Sequence, residues 1–142
     1  MLTLEQANQM IAAVFLEGQR QRFKPLTAAV LDVGGHLKAF QKQDGASLLR
    51  ADIALGKAWG ALGLGEHSRT IQKMAEERPL FITSLMNAAQ GRLIPVAGGV
   101  LIANGQGELI GAIGVTGDSS EHDEQCALAG IMAVGLKPFE RS

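Results

Sequence analysis

Side chains that could bind a ligand or take part in a reaction are few in this chain. Lys57 lies among alanines in a stretch of helical spacing, so we interpret it either as a solvated side chain or as a cation directed at an anionic ligand. Asp32 and Asp44 stand close to glycines, where a carboxylate either accepts hydrogen bonds from turn amides or acts in acid–base chemistry. No Gly-x-Ser-x-Gly motif of a serine nucleophile occurs. The residues therefore indicate binding groups without a catalytic constellation.

Three histidines and one cysteine are the candidates for metal chemistry. His122 and Cys126 are four residues apart on a predicted helix, where they could share a metal ion. The alternative is that Cys126 packs as a small apolar residue while His122 caps the helix or is solvated. His36 follows a turn and is either a solvated surface residue or an axial ligand of haem iron. His67 lies in a polar connection and is interpreted as solvated, so no metal site is predicted.

Glycine is frequent, with 18 of 142 residues, against an average of about 7%. Gly105, Gly107 and Gly111 have the spacing G-x-G-x-x-x-G and lead into a predicted strand, whereas the dinucleotide motif G-x-G-x-x-G opens a helix. Gly56-Lys57 is similar to the end of a Walker A motif, but positions 51 and 58 are both alanine. Neither pattern supports a nucleotide-binding loop.

Hydrophobic content, net charge and cysteine count limit the classes of protein to which this chain can belong. We expect one domain over residues 1–142, since 46% hydrophobic residues are enough for a core at this length. A net charge of −1 with only 19% charged residues argues against a nucleic-acid partner held by phosphate neutralisation. The single cysteine excludes an internal disulfide. No signal peptide or membrane-spanning stretch is recognised, so we expect a cytoplasmic protein with no membrane partner.

The first half of the chain is predicted to form a helix, a hairpin and a second helix. Thr3 and Gln6 have the spacing of a capping box at the start of a helix over residues 4–21. Strands over residues 27–33 and 36–40 are joined by Gly34-Gly35. Ser47 is predicted to cap a helix over residues 48–62. The apolar face predicted for that helix consists of Leu48, Ala51, Leu55, Ala58, Trp59 and Leu62.

The second half is predicted to contain two short helices, a second hairpin and a final helix. The short helices cover residues 69–78, beginning at Ser68, and 80–88. The hairpin pairs residues 100–103 with 108–116, and the last helix covers 121–135 after capping residues 118–120. Two hairpins flanked by helices favour an α+β fold with an antiparallel sheet over a doubly wound parallel one.

A series of short motifs extends over nearly the whole chain. They are Asp32 to Leu37, Asp44-Gly45-Ala46, Gly56-Lys57-Ala58, Ile94-Pro95-Val96 with Gly98-Gly99, Ile110 to Gly117, and Asp123 with Cys126-Ala127. In this order they resemble the GlcG/HbpS family, which includes the C-terminal domain of PduO-type proteins. The chain departs from the family pattern at Lys42-Gln43, where relatives carry Arg-Met, and it has no histidine in the first helix, where some relatives do.

The resemblance implies a profilin-like α/β/α sandwich with a five-stranded antiparallel sheet, and a homo-oligomer. Some family members bind haem, the PduO lineage is associated with corrinoid chemistry, and others occur with glycolate or glycerol and diol metabolism. Haem and corrinoid are therefore the cofactors to consider, although the resemblance assigns neither to this chain.

Our leading hypothesis is a small-ligand-binding accessory protein, with a tetrapyrrole or another anionic metabolite as its ligand. Lys57 would neutralise a carboxylate of that ligand. The other predicted ligand-binding residues are Asp32, Asp44, Gly98, Gly99, Gly117, His36 and His122, the glycines leaving room for the ligand and the histidines serving as axial donors. One alternative is an enzyme for a small hydroxy- or oxo-metabolite, with Asp32 or Asp44 as base and Lys57 as electrophile. Another is a non-catalytic assembly module with Ala- and Gly-rich interfaces.

Overall fold

The first helix begins where its capping box predicts. In the computed structural model, which describes residues 1–141, α1 covers Leu4–Arg20. The Thr3 hydroxyl accepts the Gln6 amide at 3.0 Å, and the Gln6 side chain accepts the Thr3 amide at 3.0 Å. These two bonds satisfy amides that a helix start leaves free. The buried side of α1 includes Met10, Ile11 and Val14.

The first hairpin also forms where it is predicted, with small shifts at its ends. Strand β1 covers Thr27–Asp32 and pairs antiparallel with β2, Leu37–Lys42. Gly35 has a φ of 83° in the connecting turn, a conformation that glycine adopts without strain. The turn therefore takes one more residue from each strand than predicted, and β2 extends two residues further.

The second helix, α2, differs from its prediction in both its start and its buried face. It covers Arg50–Leu64, and the residue before it, Leu49, makes no side-chain cap, so the predicted capping role of Ser47 is wrong. Leu48 is 91% exposed. The fully buried residues are the small ones together with the lysine: Ala54, Gly56, Lys57, Ala58, Gly60 and Ala61.

Close contact between α2 and the sheet explains that face. A Cβ at Gly114 of the sheet would collide with the carbonyl oxygen of Ala54. Only small side chains allow two backbones to approach this closely, so the large apolar residues of α2 are turned towards the edge of the contact. The predicted face was based on the spacing of the large apolar residues, which does not reveal that the small residues of α2 contact the sheet.

The remaining elements complete a five-stranded sheet. Their bounds are α3 (Ser68–Glu77), α4 (Pro79–Ala88), β3 (Gly99–Ala103), β4 (Leu109–Thr116), α5 (Ser120–Ala133) and β5 (Lys137–Pro138). The strand order is β2-β1-β4-β3-β5 with every neighbouring pair antiparallel. The two-residue β5 is an element that the residue patterns did not predict, and α5 ends two residues earlier than expected.

Helices cover both faces of the sheet, which confirms the predicted α+β sandwich. Helices α1 and α5 share one core with the face of the sheet that carries Val30 and Ile113. Helix α2 packs on the opposite face against Leu31 and Leu101. A third cluster joins α3 and α4 through Ile71 and other apolar residues. Within residues 1–141, no helix has the length and apolar character required to cross a bilayer.

Candidate functional site

Lys57 is buried beneath the sheet and already has partners. Its side chain is only 2% exposed, and Nζ donates to the Val115 carbonyl at 2.9 Å and to Asp123 Oδ2 at 3.0 Å. Burial lowers the pKa of the Lys57 ammonium, and the negative charge of Asp123 opposes that shift. The solvated alternative for Lys57 is therefore wrong. Its contact with a ligand stays a prediction, and such a contact would require Asp123 to release the ammonium.

The three predicted ligand-lining glycines are surrounded by the protein's own backbone. A Cβ at Gly98 would lie 2.5 Å from the Val115 carbonyl oxygen, and one at Gly99 would collide with the carbonyl of Lys57. A Cβ at Gly117 would collide with the carbonyl of Pro25. The chain itself thus fills the space that the prediction assigned to a ligand.

The two predicted axial donors each pair with an aspartate in their own part of the fold. His36 is exposed, with Nδ1 3.3 Å from Asp32 Oδ1. His122 stacks on Phe23 with ring centroids 4.1 Å apart, and its Nδ1 lies 2.6 Å from Asp118 Oδ1. The structure places His36 at the β1–β2 turn and His122 at the start of α5, so it does not bring them together.

His67 was interpreted as solvated, and this is wrong. Its Nδ1 accepts the Leu101 amide at 3.0 Å and its Nε2 lies 2.7 Å from the Phe139 carbonyl oxygen. The His67 ring, just before α3, therefore contacts β3 through one nitrogen and the segment after β5 through the other. Cys126 is a buried core residue, and burial raises the pKa of its thiol to about 12. This confirms the apolar interpretation of Cys126, and residues 1–141 contain no group of three side chains arranged to hold a metal ion.

The two candidate carboxylates lie at opposite ends of the first hairpin. Asp32 Oδ1 accepts the amides of Gly34 at 2.9 Å and His36 at 3.0 Å, which is the turn role considered for it. The bond from the His36 amide, more than any other interaction, holds the pKa of the Asp32 carboxyl below its ordinary value. Asp44 follows the far end of β2 and is exposed. Neither arrangement assembles a base beside Lys57, so the geometry required by the enzyme alternative is not present.

A cavity of about 540 Å³ lies instead between α2, the β1–β2 turn and residues 90–94. Its apolar wall is formed by Leu31, Leu37, Leu49, Ile53, Leu55 and Ile94. Trp59 provides an aromatic surface, and Asp52, Gln90 and Arg92 provide the polar side chains. A volume of a few hundred Å³ with an apolar lining and few polar groups is typical of small-molecule sites.

Two glycines of α2 allow residues 92–94, which form one wall of this cavity, to pack closely on the helix. A Cβ at Gly56 would collide with Ile94, and one at Gly60 would lie 3.0 Å from Leu93. The two glycines are four residues apart and so share a face of the helix. Because they lack side chains, residues 92–94 lie directly on α2, where the Ile94 amide donates to the Gly56 carbonyl at 3.3 Å.

Arg92 and Trp59 form the most distinctive contact of the cavity. The Arg92 guanidinium carbon lies 4.0 Å from the centroid of the indole ring, a cation–π arrangement. Arg92 Nε also donates to the Ala89 carbonyl at 3.1 Å. Gln90 and Gly91, with φ of 57° and 79°, reverse the chain just before it. With this cation beside its apolar wall, the cavity suits a flat apolar molecule that carries a carboxylate.

The residue patterns did not predict this site. Trp59 was assigned to a packing face, and Arg92 was not considered. The available signal was the pair Gly56 and Gly60 flanking the only tryptophan of the chain, but the contact partner of those glycines is more than thirty residues away. Local spacing cannot identify such a partner.

Comparison with known proteins gives consistent results. A family model described as "Haem degrading protein HbpS-like" matches residues 2–132. An uncharacterised 15.0 kDa protein from the dhaT-dhaS intergenic region of Citrobacter freundii is 32% identical over 128 residues, which cover 89% of this chain and 87% of that protein. Protein GlcG of Escherichia coli K12 is 32% identical over 114 residues, covering 78% of this chain and 80% of GlcG.

Two solved structures share the fold. The PduOC:heme complex superposes with a TM-score of 0.87 at 22% identity, covering 98% of this chain and 99% of that one. HbpS superposes with a TM-score of 0.79 at 26% identity, covering 92% of this chain and 88% of that one. This chain spans only 41% of the full corrinoid adenosyltransferase PduO of Citrobacter freundii, to which it is 22% identical.

Proposed function

This chain belongs to the HbpS-like family, and from that membership we propose that it is an accessory protein that binds haem or a related tetrapyrrole. The proposal places the ligand in the cavity beside Trp59 and Arg92. The observation that carries this placement is the stacked Arg92–Trp59 pair in the wall of this apolar cavity.

The residues of the cavity fit the organic part of a tetrapyrrole. The apolar wall suits a flat macrocycle because it buries ring surface, and one face of the Trp59 indole is covered by the Arg92 guanidinium. Arg92 can form paired hydrogen bonds with a propionate carboxylate, and such charge-assisted bonds are the stronger kind. Asp52 also lines the cavity and repels a carboxylate, so it restricts where the propionates can lie. Bound haem would supply the chemistry of its iron; this chain's residues supply ring packing and carboxylate recognition.

The test is a titration with hemin, followed by the Soret band. We expect saturable binding by the natural protein and at least about tenfold weaker binding by Arg92→Ala, since a hydrogen bond to a charged group contributes about 1.5–3 kcal/mol. Lys73→Ala removes an exposed cation on α3 and serves as the matched control, with unchanged affinity expected. A response no larger than that of a non-binding protein would exclude haem as the ligand.

The proposal includes a homo-oligomer. Helix α4 has one fully buried residue, Ile82, while Leu80 is 81% exposed and Phe81 and other apolar residues of the helix are partly exposed. Contiguous exposed apolar surface is typical of subunit interfaces, and a second copy of this chain would cover it. The cytoplasmic location expected from the sequence stays a prediction.

A further inference from the structure

We propose that the cavity recognises the porphyrin ring and its carboxylates while this chain provides no ligand to the metal. Metal-free protoporphyrin would then bind about as tightly as hemin. This inference rests on the proposed function, and it specifies the class of ligand as dicarboxylate tetrapyrroles whatever their metal.

The lining of the cavity lacks the usual iron ligands. Axial ligands of haem iron in proteins are histidine, cysteine, methionine or tyrosine side chains. Among the described residues 1–141, none that lines the cavity is of these types, and the whole sequence contains no tyrosine. Its polar side chains are a guanidinium, which has no lone pair to offer, a carboxylate and an amide.

His36 is the histidine nearest to the cavity along the chain, yet it lies in a different crevice. Gly35 and Leu37 line the cavity, whereas His36 lines a separate crevice with Met1 and Leu2. His36 lies in the turn before β2, where its Nδ1 is 3.3 Å from Asp32 Oδ1. The imidazole of His36 is thus held at the turn and does not line the cavity.

The other potential iron ligands are engaged elsewhere. Both ring nitrogens of His67 have partners, and His122 is stacked on Phe23 and paired with Asp118. Cys126 is enclosed in the core. The methionines at positions 1, 10, 74, 86 and 132 do not line the cavity either.

The groups that do line the cavity act on the organic part of the ligand. Leucine, isoleucine and tryptophan contribute through the apolar area they bury, which is the same for a porphyrin with or without iron. Arg92 acts on the propionates, which both molecules carry. No side chain described in the cavity wall is of a type that binds iron, so the cavity has no contact that would favour hemin over metal-free protoporphyrin.

The experiment compares hemin and metal-free protoporphyrin IX on the same protein by absorbance titration. We expect dissociation constants within about threefold of each other, and about tenfold weaker binding of both by Arg92→Ala. His36→Ala, a variant outside the cavity, is expected to bind both as the natural protein does. Electron paramagnetic resonance of bound hemin is expected to be high-spin, without a strong-field side-chain ligand.

The outcomes separate this inference from the proposed function. Hemin binding at least tenfold tighter than protoporphyrin, or a low-spin signal that His36→Ala or His122→Ala removes, would overturn the inference and leave tetrapyrrole binding standing. Equal binding of the two that Arg92→Ala leaves unchanged would overturn the assignment to this cavity. Binding of neither molecule above a non-binding control protein would refute the proposed function itself.

Discussion

At the residue scale, the buried Lys57–Asp123 ion pair has a structural role. Asp123 accepts Lys57 Nζ with one oxygen and the Asp118 amide with the other, so it joins α2, α5 and the loop after β4. A lysine among alanines was interpreted as either solvated or ligand-directed, because sequence alone does not reveal a carboxylate 66 residues away. Only the folded chain brings the two together.

Asp123→Ala is expected to destabilise the protein by about 3–5 kcal/mol, since it leaves a buried ammonium without its counter-charge. Chemical denaturation followed by circular dichroism measures this. Glu121→Ala, an exposed position on the same helix, is the control and should change stability by less than about 0.5 kcal/mol. The double variant Lys57→Met, Asp123→Leu should recover most of the loss. Equal stability of Asp123→Ala and Glu121→Ala would contradict the structural role of the pair.

The lowered pKa of the Asp118 carboxyl leads to a prediction about stability at acidic pH. Hydrogen bonds, chiefly from the Lys24 amide and then from His122, lower the pKa of its carboxyl from 3.8 to about 2. A lowered folded-state pKa stabilises the protein above pH 3.8, and that contribution is lost as the pH falls from there towards 2. Asp118→Asn should therefore lose less stability than the natural protein over this window.

Thermal denaturation at several pH values tests this expectation. Asp44→Asn, at an exposed carboxylate, is the control and should follow the natural protein. If Asp118→Asn loses stability between pH 4 and 2 as steeply as the natural protein, the carboxyl does not contribute in this way.

At the element scale, the parts that could be predicted are those set by local chemistry. The Thr3 capping box, the Gly34-Gly35 turn and the Ser119 cap of α5 all act within a few residues. The buried face of α2 could not be predicted in the same way. Its orientation depends on how closely a helix can approach the sheet at Gly114, which is a property of two distant segments.

Gly56→Ala is expected to displace residues 92–94, because the new Cβ would collide with Ile94 and lie 3.0 Å from the Arg92 carbonyl oxygen. We expect a destabilisation of about 1–3 kcal/mol and weaker hemin binding. Gly63→Ala is the matched control on the same helix, since its Cβ would have an ordinary contact 3.7 Å from Trp59.

Gly63→Ala should be neutral or stabilise by up to about 1 kcal/mol through helix propensity. Denaturation and a hemin titration on both variants test the pair. If the two alanine variants behave alike in both measurements, close contact at Gly56 does not shape the cavity.

At the scale of the whole molecule, the fold was more predictable than the site. Motifs in a fixed order along the chain indicated the family and its five-stranded sheet. The cavity draws on residues 31–37, 49–59 and 90–94. Each segment overlaps one of the motifs, but the motifs alone do not show that the three segments meet in space. The motif residues Gly98, Gly99 and Gly117 proved instead to be positions of close backbone packing.

The proposed homo-oligomer is tested by sedimentation velocity at micromolar concentration, where we expect the natural protein to sediment as a species larger than one chain. Leu80→Glu places a charge on the exposed face of α4 and should shift the protein towards the monomer. Leu16→Glu, at an exposed leucine of α1, is the control and should leave the distribution unchanged. A natural protein that sediments as a monomer would refute this assembly.

The single tryptophan of the chain is Trp59, and it lies in the wall of the cavity. The ultraviolet emission of the entire protein therefore originates at the place where we expect a guest molecule to bind. Unlabelled metabolite libraries can be screened by the quenching or colour change of this built-in fluorophore. Compounds other than porphyrins can be found in the same way, without any added dye.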